Sequence, residues 1–380
     1  MPLTSIFASG HMRTFWFSFF VVSLLSFMTG QPIFVKNTLK EIDACEGKIK
    51  LTLVRTWGDD EIDDENQFFK FPQDIKVGGD GLIYIADSIN NRIQVFDARG
   101  NFKKSIGKRG QGPGDLLEPL SIALDKYNNL LVCDTGNLRV ESFDPSGCYV
   151  NSFRFESKKP TGIAVNQKNE ILLYSFEKSF TSNSLVYVLS SQGKTLRTIG
   201  ANPDKAKSIF ANESIFFALD TQDNIYISFY STPYYHKYST DGESLLMVTY
   251  EIPYKKSTVH VEPPGKSGSL PIISGKKEFN TSSGLALDNE NRVYLIAADR
   301  ALADNEKFYL GSGGRRYPPK IQSENTDRYR LLVFNPGGKV IAAKKLSVFC
   351  DRIYIHQDSL FIIDTYMAMK IYQYTISFSR

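Results

Sequence analysis

The chain has 380 residues, 45 Lys and Arg against 41 Asp and Glu, a net charge of +4, and 42% hydrophobic residues including 27 Phe and 20 Tyr. This composition excludes a disordered tail protein, and so small a charge excess gives no argument for nucleic acid. Four Cys exclude a disulfide scaffold, and four His leave little for a histidine-based metal centre.

The chain opens on an address. Arg13 is the only charged residue before Lys36, and it precedes the apolar run Phe15–Met28, followed by Thr29-Gly30. A positive start, a short apolar run and small residues read as a secretory signal over residues 1–30. The alternative is an uncleaved N-terminal anchor, although the run is shorter than the roughly 20 residues of a membrane span. Residues 31–47 read as a leader. The segment Ile49–Gly58 then reads as a β-strand, and Asp59–Glu65 (DDEIDDE) places six carboxylates in seven residues. Such a run can attract a hard cation such as Ca²⁺, but its spacing matches no EF-hand loop, and a solvated linker accounts for it as well. No other cofactor is expected.

From there the chain repeats. Six short β-rich runs are Leu82–Asp87, Leu130–Asp134, Ile171–Ser175, Ile225–Phe229, Val293–Ala297 and Leu360–Asp364. Aligned on Tyr84, their spacings are 47, 41, 54, 68 and 67 residues. A base period in the forties with later insertions fits a four-stranded propeller blade. Each run follows an apolar strand (Pro72–Val77, Pro119–Leu124, Pro160–Val165) across a hairpin rich in Gly, Asn and Asp. A third strand follows, as in Arg92–Phe96 and Arg139–Phe143, and then a glycine turn at Gly100, Gly147, Gly193, Gly242 or Gly337. The predicted fold is all-β: a six-bladed propeller of four-stranded antiparallel blades over residues 48–380. An open edge would recruit other chains, so Ile49–Trp57 is expected to complete the last blade and close the ring.

The stretch Pro72…Ile83-Tyr-Ile-Ala-Asp87-Ser-Ile-Asn-Asn-Arg92-Ile-Gln-Val-Phe96…Gly100 resembles an NHL repeat. The segment Ile106–Gly114 (IGKRGQGPG) is similar to the blade linker of bacterial secreted NHL-type propellers, and Asp134…Arg139 repeats the first unit's Asp…Arg pair. The resemblance covers roughly residues 48–378 and weakens in blades four to six. It implies a secreted binding propeller. Because Asp87 and Arg92, like Asp134 and Arg139, flank one turn, they read as structural loop clamps.

Function is expected on the two largest insertions, 250–283 between blades four and five and 297–330 within blade five, which propeller connectivity brings to one face. Lys108, Arg109, Tyr234, Tyr235, His236, Arg315, Arg316 and Tyr317 are the candidate partner-binding residues on that face. Basic groups beside tyrosines suit a protein or glycan partner. Asp74, Ser121, Asp351 and Arg352 begin inner strands and are expected near the channel mouth. The rival class is a metal-dependent hydrolase or lyase at that mouth. Only His236 is expected on this face, and one histidine cannot build a three-histidine zinc site. No catalytic residue and no protein metal ligand is therefore assigned. RNA binding, which the resemblance also implies for intracellular relatives, is disfavoured by the N-terminal address. The expected product is a secreted or periplasmic monomer, touching a membrane only if residues 1–30 are retained.

Overall fold

The structure is a computed structural model that describes residues 32–58, 68–155, 158–175, 184–201, 215–230, 232–253, 260–262, 272–274, 282–300, 309–310, 316–317, 327–365 and 368–379. Segments 1–31 and 59–67, which hold the N-terminal address and the acidic run, lie outside the described residues.

Six antiparallel sheets form among the described residues, each built around one of the repeated runs. Blade one is Pro72–Val77, Ile83–Asp87, Arg92–Phe96 and Phe102–Ile106, and blade two is Pro119–Leu124, Leu130–Asp134, Arg139–Phe143 and Tyr149–Arg154. Blade three is Gly162–Val165, Ile171–Tyr174, Ser184–Leu189 and Thr195–Ala201. Blade four is Ile215–Leu219, Ile225–Phe229, Thr232–Tyr238 and Ser244–Tyr250, and blade five is Ser282–Leu287, Val293–Ala298, Tyr329–Phe334 and Val340–Lys345. Blade six joins Arg352–His356, Ser359–Asp364 and Lys370–Phe378 to Ile49–Trp57, which pairs antiparallel with Lys370–Phe378. The N-terminal strand thus closes the ring.

The second strands of the blades read as unbroken apolar runs because both their faces are covered by neighbouring blades. Ile83–Asp87, Leu130–Asp134 and Ile225–Phe229 are buried throughout. The core is accordingly layered between blades. Tyr84, Ile93 and Ile106 of blade one meet Ile122, Val132 and Phe143 of blade two. At the closure, Trp57, Phe361 and Ile371 of blade six meet Ile75, Ile83 and Phe96 of blade one. Trp57 stacks on Phe361 at 6.3 Å and tilts against Phe96 at 6.2 Å. Burying side chains of this size contributes about 1.5–3 kcal/mol each, so the closing strand is fastened by packing as well as by its ladder.

The leader does more than lead. Ile33–Asn37 adds a fifth strand to blade four, parallel to Ser244–Tyr250. A short helix, Leu39–Asp43, follows, started by a Thr38–Glu41 capping box. Ile42 and Cys45 join the layer between blades four and five, Glu46 bridges Ala343, and the chain then enters blade six. The N-terminal segment therefore straps the outer edges of three consecutive blades.

Hairpin chemistry follows the sequence with one shift. The turns between third and fourth strands take positive φ at Gly100, Gly147, Gly193 and Gly242, but in blade five at Gly338 (φ +84°), not Gly337. Asn335 Oδ1 accepts the N–H groups of both Gly337 and Lys339, and this places the left-handed residue one position later. The first hairpins at the opposite end of the ring are linked blade to blade. Asn128 accepts from Gly79 N, Asp223 from Gln167 N and Asn291 from Thr221 N, at 2.9–3.1 Å. All three acceptors are left-handed (φ +59° to +64°), a conformation Asn and Asp tolerate well.

Candidate functional site

In each blade the loop from second to third strand and the connection to the next blade share one end of the ring. On this face Asp74, Asp87 and Asp134 of blades one and two are committed to structure, while Glu118 in the connection between them is exposed. Asp87 is fully buried: Oδ1 accepts from Lys70 N at 2.7 Å, and Oδ2 from Asn90 Nδ2 at 2.8 Å and Arg92 Nε at 2.9 Å. Burial raises its pKa, against these opposing hydrogen bonds. Asp134 repeats the arrangement with Leu117 N, Asn137 Nδ2 and Arg139 Nε at 2.6–2.8 Å. Arg139 then donates to the carbonyls of Gln111, Gly112 and Asp115, pinning the glycine-rich linker. Each carboxylate thus ties its own turn to the incoming connection.

Asp74, at the start of the inner strand of blade one, is similarly engaged. Asp74 Oδ2 accepts from Ser121 Oγ at 2.8 Å and Ile122 N at 3.0 Å, both in blade two. Its Oδ1 accepts from Ile75 N at 2.8 Å and from Lys76 Nζ at 2.5 Å. Lys76 also lies 5.0 Å over the Tyr354 ring. Ser121 Oγ accepts from Ile163 N of blade three, so this chain of contacts crosses three inner strands. Arg352 of blade six reaches back to Phe216 of blade four, its guanidinium 5.8 Å from the ring. Among the described residues, no three His, Cys, Asp or Glu side chains gather as a metal-binding group.

The candidate partner-binding residues separate into three groups. Lys108 and Arg109 are exposed in the connection between blades one and two, and the loop is held by Leu116 N donating to Lys108 O. Arg315 lies outside the described residues. Arg316 and Tyr317 form a short strand paired with Tyr309–Leu310, and their side chains lie outside what is described. Tyr234, Tyr235 and His236 are expected to reach this face as partner-binding residues, and the structure finds them buried instead. They belong to the third strand of blade four, paired with both its neighbours. Tyr235 is fully buried against Phe334, and Tyr234 stacks on Phe229 at 4.6 Å. His236 is 9% exposed, its Nε2 2.6 Å from Ser244 Oγ and its Nδ1 3.0 Å from Tyr238 OH. Burial lowers its pKa to about 4, so it is neutral at ordinary pH. These three side chains are buried within blade four and its packing.

One feature of the face escaped the sequence reading. Arg328, at the end of the blade-five insertion, is 1% exposed, and its guanidinium lies 5.4 Å over the Tyr329 ring. Neither Nε nor Nη1 has a hydrogen-bond partner among the described residues. The charged run Asp327-Arg-Tyr-Arg330 ahead of an apolar strand was its only sequence signal.

A protein-family model described as a 6-bladed beta-propeller matches residues 63–267, more than half of the chain. The chain belongs to this family of six-bladed β-propellers. Among solved structures, a Bacteroides fragilis protein inferred to be exported superposes with a TM-score of 0.56, covering 92% of this chain and 100% of that one at 11% identity. A structure whose protein is described as an inferred gluconolactonase gives 0.50, covering 87% of this chain and 98% of that one at 12% identity. At such identities both likenesses show the fold alone. Among curated proteins, Drosophila melanogaster "Protein brain tumor" is 29% identical over 112 residues. That match takes in 29% of this propeller and only 11% of that protein's length. No helix among the described residues is long and apolar enough to cross a membrane.

Proposed function

We propose that this propeller is a secreted binding or scaffold module that recognises a protein or glycan partner through its insertion-bearing face. One contrast carries the reading. Three acids of this face at blades one and two, Asp74, Asp87 and Asp134, have their oxygens engaged in holding blades and loops together, while Lys108 and Arg109 stand exposed on the same face beside one exposed acid, Glu118. A rigid ring that presents basic groups and long loops is suited to recognition. The NHL-like pattern of blades one and two and the apolar run Phe15–Met28 support the secreted, NHL-type assignment.

The test is partner binding by the chain lacking residues 1–30, on glycan arrays and in protein capture, beside a variant with 301–326 replaced by a short turn. Binding by the first and its loss in the second, with the ring still folded by circular dichroism, is the expected outcome. Binding that survives the replacement rejects this face. Stoichiometric tightly held metal, lost together with a hydrolytic or lyase activity, would favour the enzyme reading instead.

A further inference from the structure

We infer that the leader is an exchangeable strap: its seat on the outer edges of blades four and five accepts the leader of a second copy of this chain, and ion pairs across the seat set how readily the exchange occurs. The inference concerns the rim of the ring and goes beyond the partner-binding reading of the face.

The leader is held by parts of the chain remote from it in sequence. Ile33–Asn37 pairs with Leu246–Tyr250 of blade four. The Asn37 amide meets Gly338 O and Val340 N of blade five at 2.9 Å each, and Ile42 and Cys45 are buried in the layer between these two blades. The same contacts form if the segment comes from another copy, which is the condition for exchange of an element between protomers. The tether is short and turned. Lys48 N donates to Cys45 O at 3.3 Å, and Gly47 takes φ +77° with open space where a Cβ would stand. Drawing this turn out into extended chain gains about 3.3–3.6 Å of reach per residue.

Charge latches the seat. The leader's three acids each face a ring cation: Glu41 Oε1 lies 3.3 Å from Lys339 Nζ, Asp43 Oδ1 2.8 Å from Arg330 Nη1, and Glu46 Oε2 3.7 Å from Arg330 Nε. Lys36 of the leader lies 3.0 Å from Glu251 Oε1, and the other oxygen of Glu251 accepts from Leu39 N at 2.9 Å. Glu41, Asp43, Glu46 and Lys36 are exposed, so salt screens these pairs.

Releasing the leader leaves no orphan charge in the ring. Asp299 Oδ1 holds Arg330 Nε at 2.9 Å, and its Oδ2 lies 3.3 Å from Lys345 Nζ. The vacated strand edge is what cannot stay bare. Ser244–Tyr250 would present a row of unpaired backbone groups, and such an edge recruits a strand. The strand that fits it is a second leader, with an asparagine for the seam and acids for Lys339 and Arg330.

The experiment is a cross-linking assay on the chain lacking residues 1–30, with the exposed Cys148 changed to Ser. Phe34→Cys and Met247→Cys are partners in the leader's ladder. Their disulfide forms within one chain if the leader sits on its own ring, and between two chains if it is exchanged. The protein is held concentrated in low salt or in 1 M NaCl, where the Debye length falls to about 3 Å, then returned to low salt and oxidised. Non-reducing gels should show linked monomer from low salt and, from 1 M NaCl, a linked dimer at least threefold more abundant. Asp43→Asn with Glu46→Gln should give that dimer without the salt step. Each single-cysteine variant sets the background from chance collision. Linked monomer alone under both conditions, or dimer no higher than that background, overturns exchange. A dimer fraction that responds neither to salt nor to Asp43→Asn with Glu46→Gln overturns the latch. Light scattering on the unsubstituted chain after the same salt step needs no cysteines: a dimer is expected, and monomer alone overturns exchange. Neither failure touches the insertion-bearing face.

Discussion

Asn37 of the leader and Val340 of blade five are joined by a buried amide. Asn37 Oδ1 accepts from Val340 N at 2.9 Å, while its Nδ2 donates to Gly338 O at 2.9 Å. Asn37 is itself the last residue of the strand added to blade four, so one side chain spans the gap between two blades' outer edges.

Replacing Asn37 by Ala should strand a backbone donor and an acceptor at that seam. Each such orphan costs about 1–3 kcal/mol, and a loss of about 2–3 kcal/mol is expected in urea unfolding. Limited proteolysis should then cut first within 32–48. If stability is unchanged, the leader is an ornament on the ring and not a strap.

The clamp at Asp134 makes a larger claim. Asp134→Ala would leave Arg139, 12% exposed at its side chain, without its first partner, although three carbonyls and Glu141 still hold it. Breaking one side of a buried pair costs about 3–5 kcal/mol, and the remaining partners place the expectation near the lower figure. A ligand role for Asp134 predicts the opposite pattern, weakened partner binding with unfolding unchanged.

How much of this was legible in the sequence depends on which forces placed each residue. The second strands announced themselves because burial on both faces admits almost only apolar residues, and the closing strand did so because Trp57-Gly58 repeats the ending of Ile106-Gly107. The burial of Tyr234, Tyr235 and His236 was not legible because a polar run with His236 and Lys237 inside it gives no apolar signal. They are tolerated inside since Ser244 and Tyr238 satisfy the imidazole, and Asp220 at 2.9 Å satisfies the ammonium. The leader strand is five residues long and has no partner nearby in sequence, its mate being some 200 residues away. Arg328 carried no periodic signal, since only the assembled ring decides that it is buried.

Glu141 gives a pH prediction. It is fully buried beside Arg139, and burial pushes its pKa up to about 7. A folded-state value above the unfolded one near 4.5 means that the native state holds the proton more tightly. Stability is then greatest below the unfolded value and declines as pH rises from about 4.5 to about 7, by at most about 3 kcal/mol. Glu141→Gln should flatten that decline and stabilise the protein at pH 8. Blade one already carries Gln94 at the equivalent position, opposite Ile85 as Glu141 is opposite Val132. Urea midpoints from pH 4.5 to 8 decide it, and parallel curves for the two proteins would refute it.

Glu170 should give the opposite slope. Arg197 grips it with two bonds, Nη1 to Oε1 at 2.9 Å and Nη2 to Oε2 at 2.7 Å, and Asn166 adds a third at 2.7 Å. These bonds, those from Arg197 foremost, hold its pKa down to about 2. Arg197 Nε also donates to Thr240 O of blade four, so the pair helps to join two blades. Here the folded value lies below the unfolded one. The contribution is complete above about pH 4.5 and is lost as pH falls through it toward 2. Its upper bound is about 3 kcal/mol, and the partial exposure of both side chains should reduce it to about 1–2 kcal/mol. Glu170→Gln should therefore lower stability at pH 7 by that amount and leave it nearly unchanged at pH 2.5. With Glu141 and Glu170 both replaced, stability should vary less with pH on both flanks than in the native chain. If Glu170→Gln costs as much at pH 2.5 as at pH 7, the fork matters through packing and not through its charge.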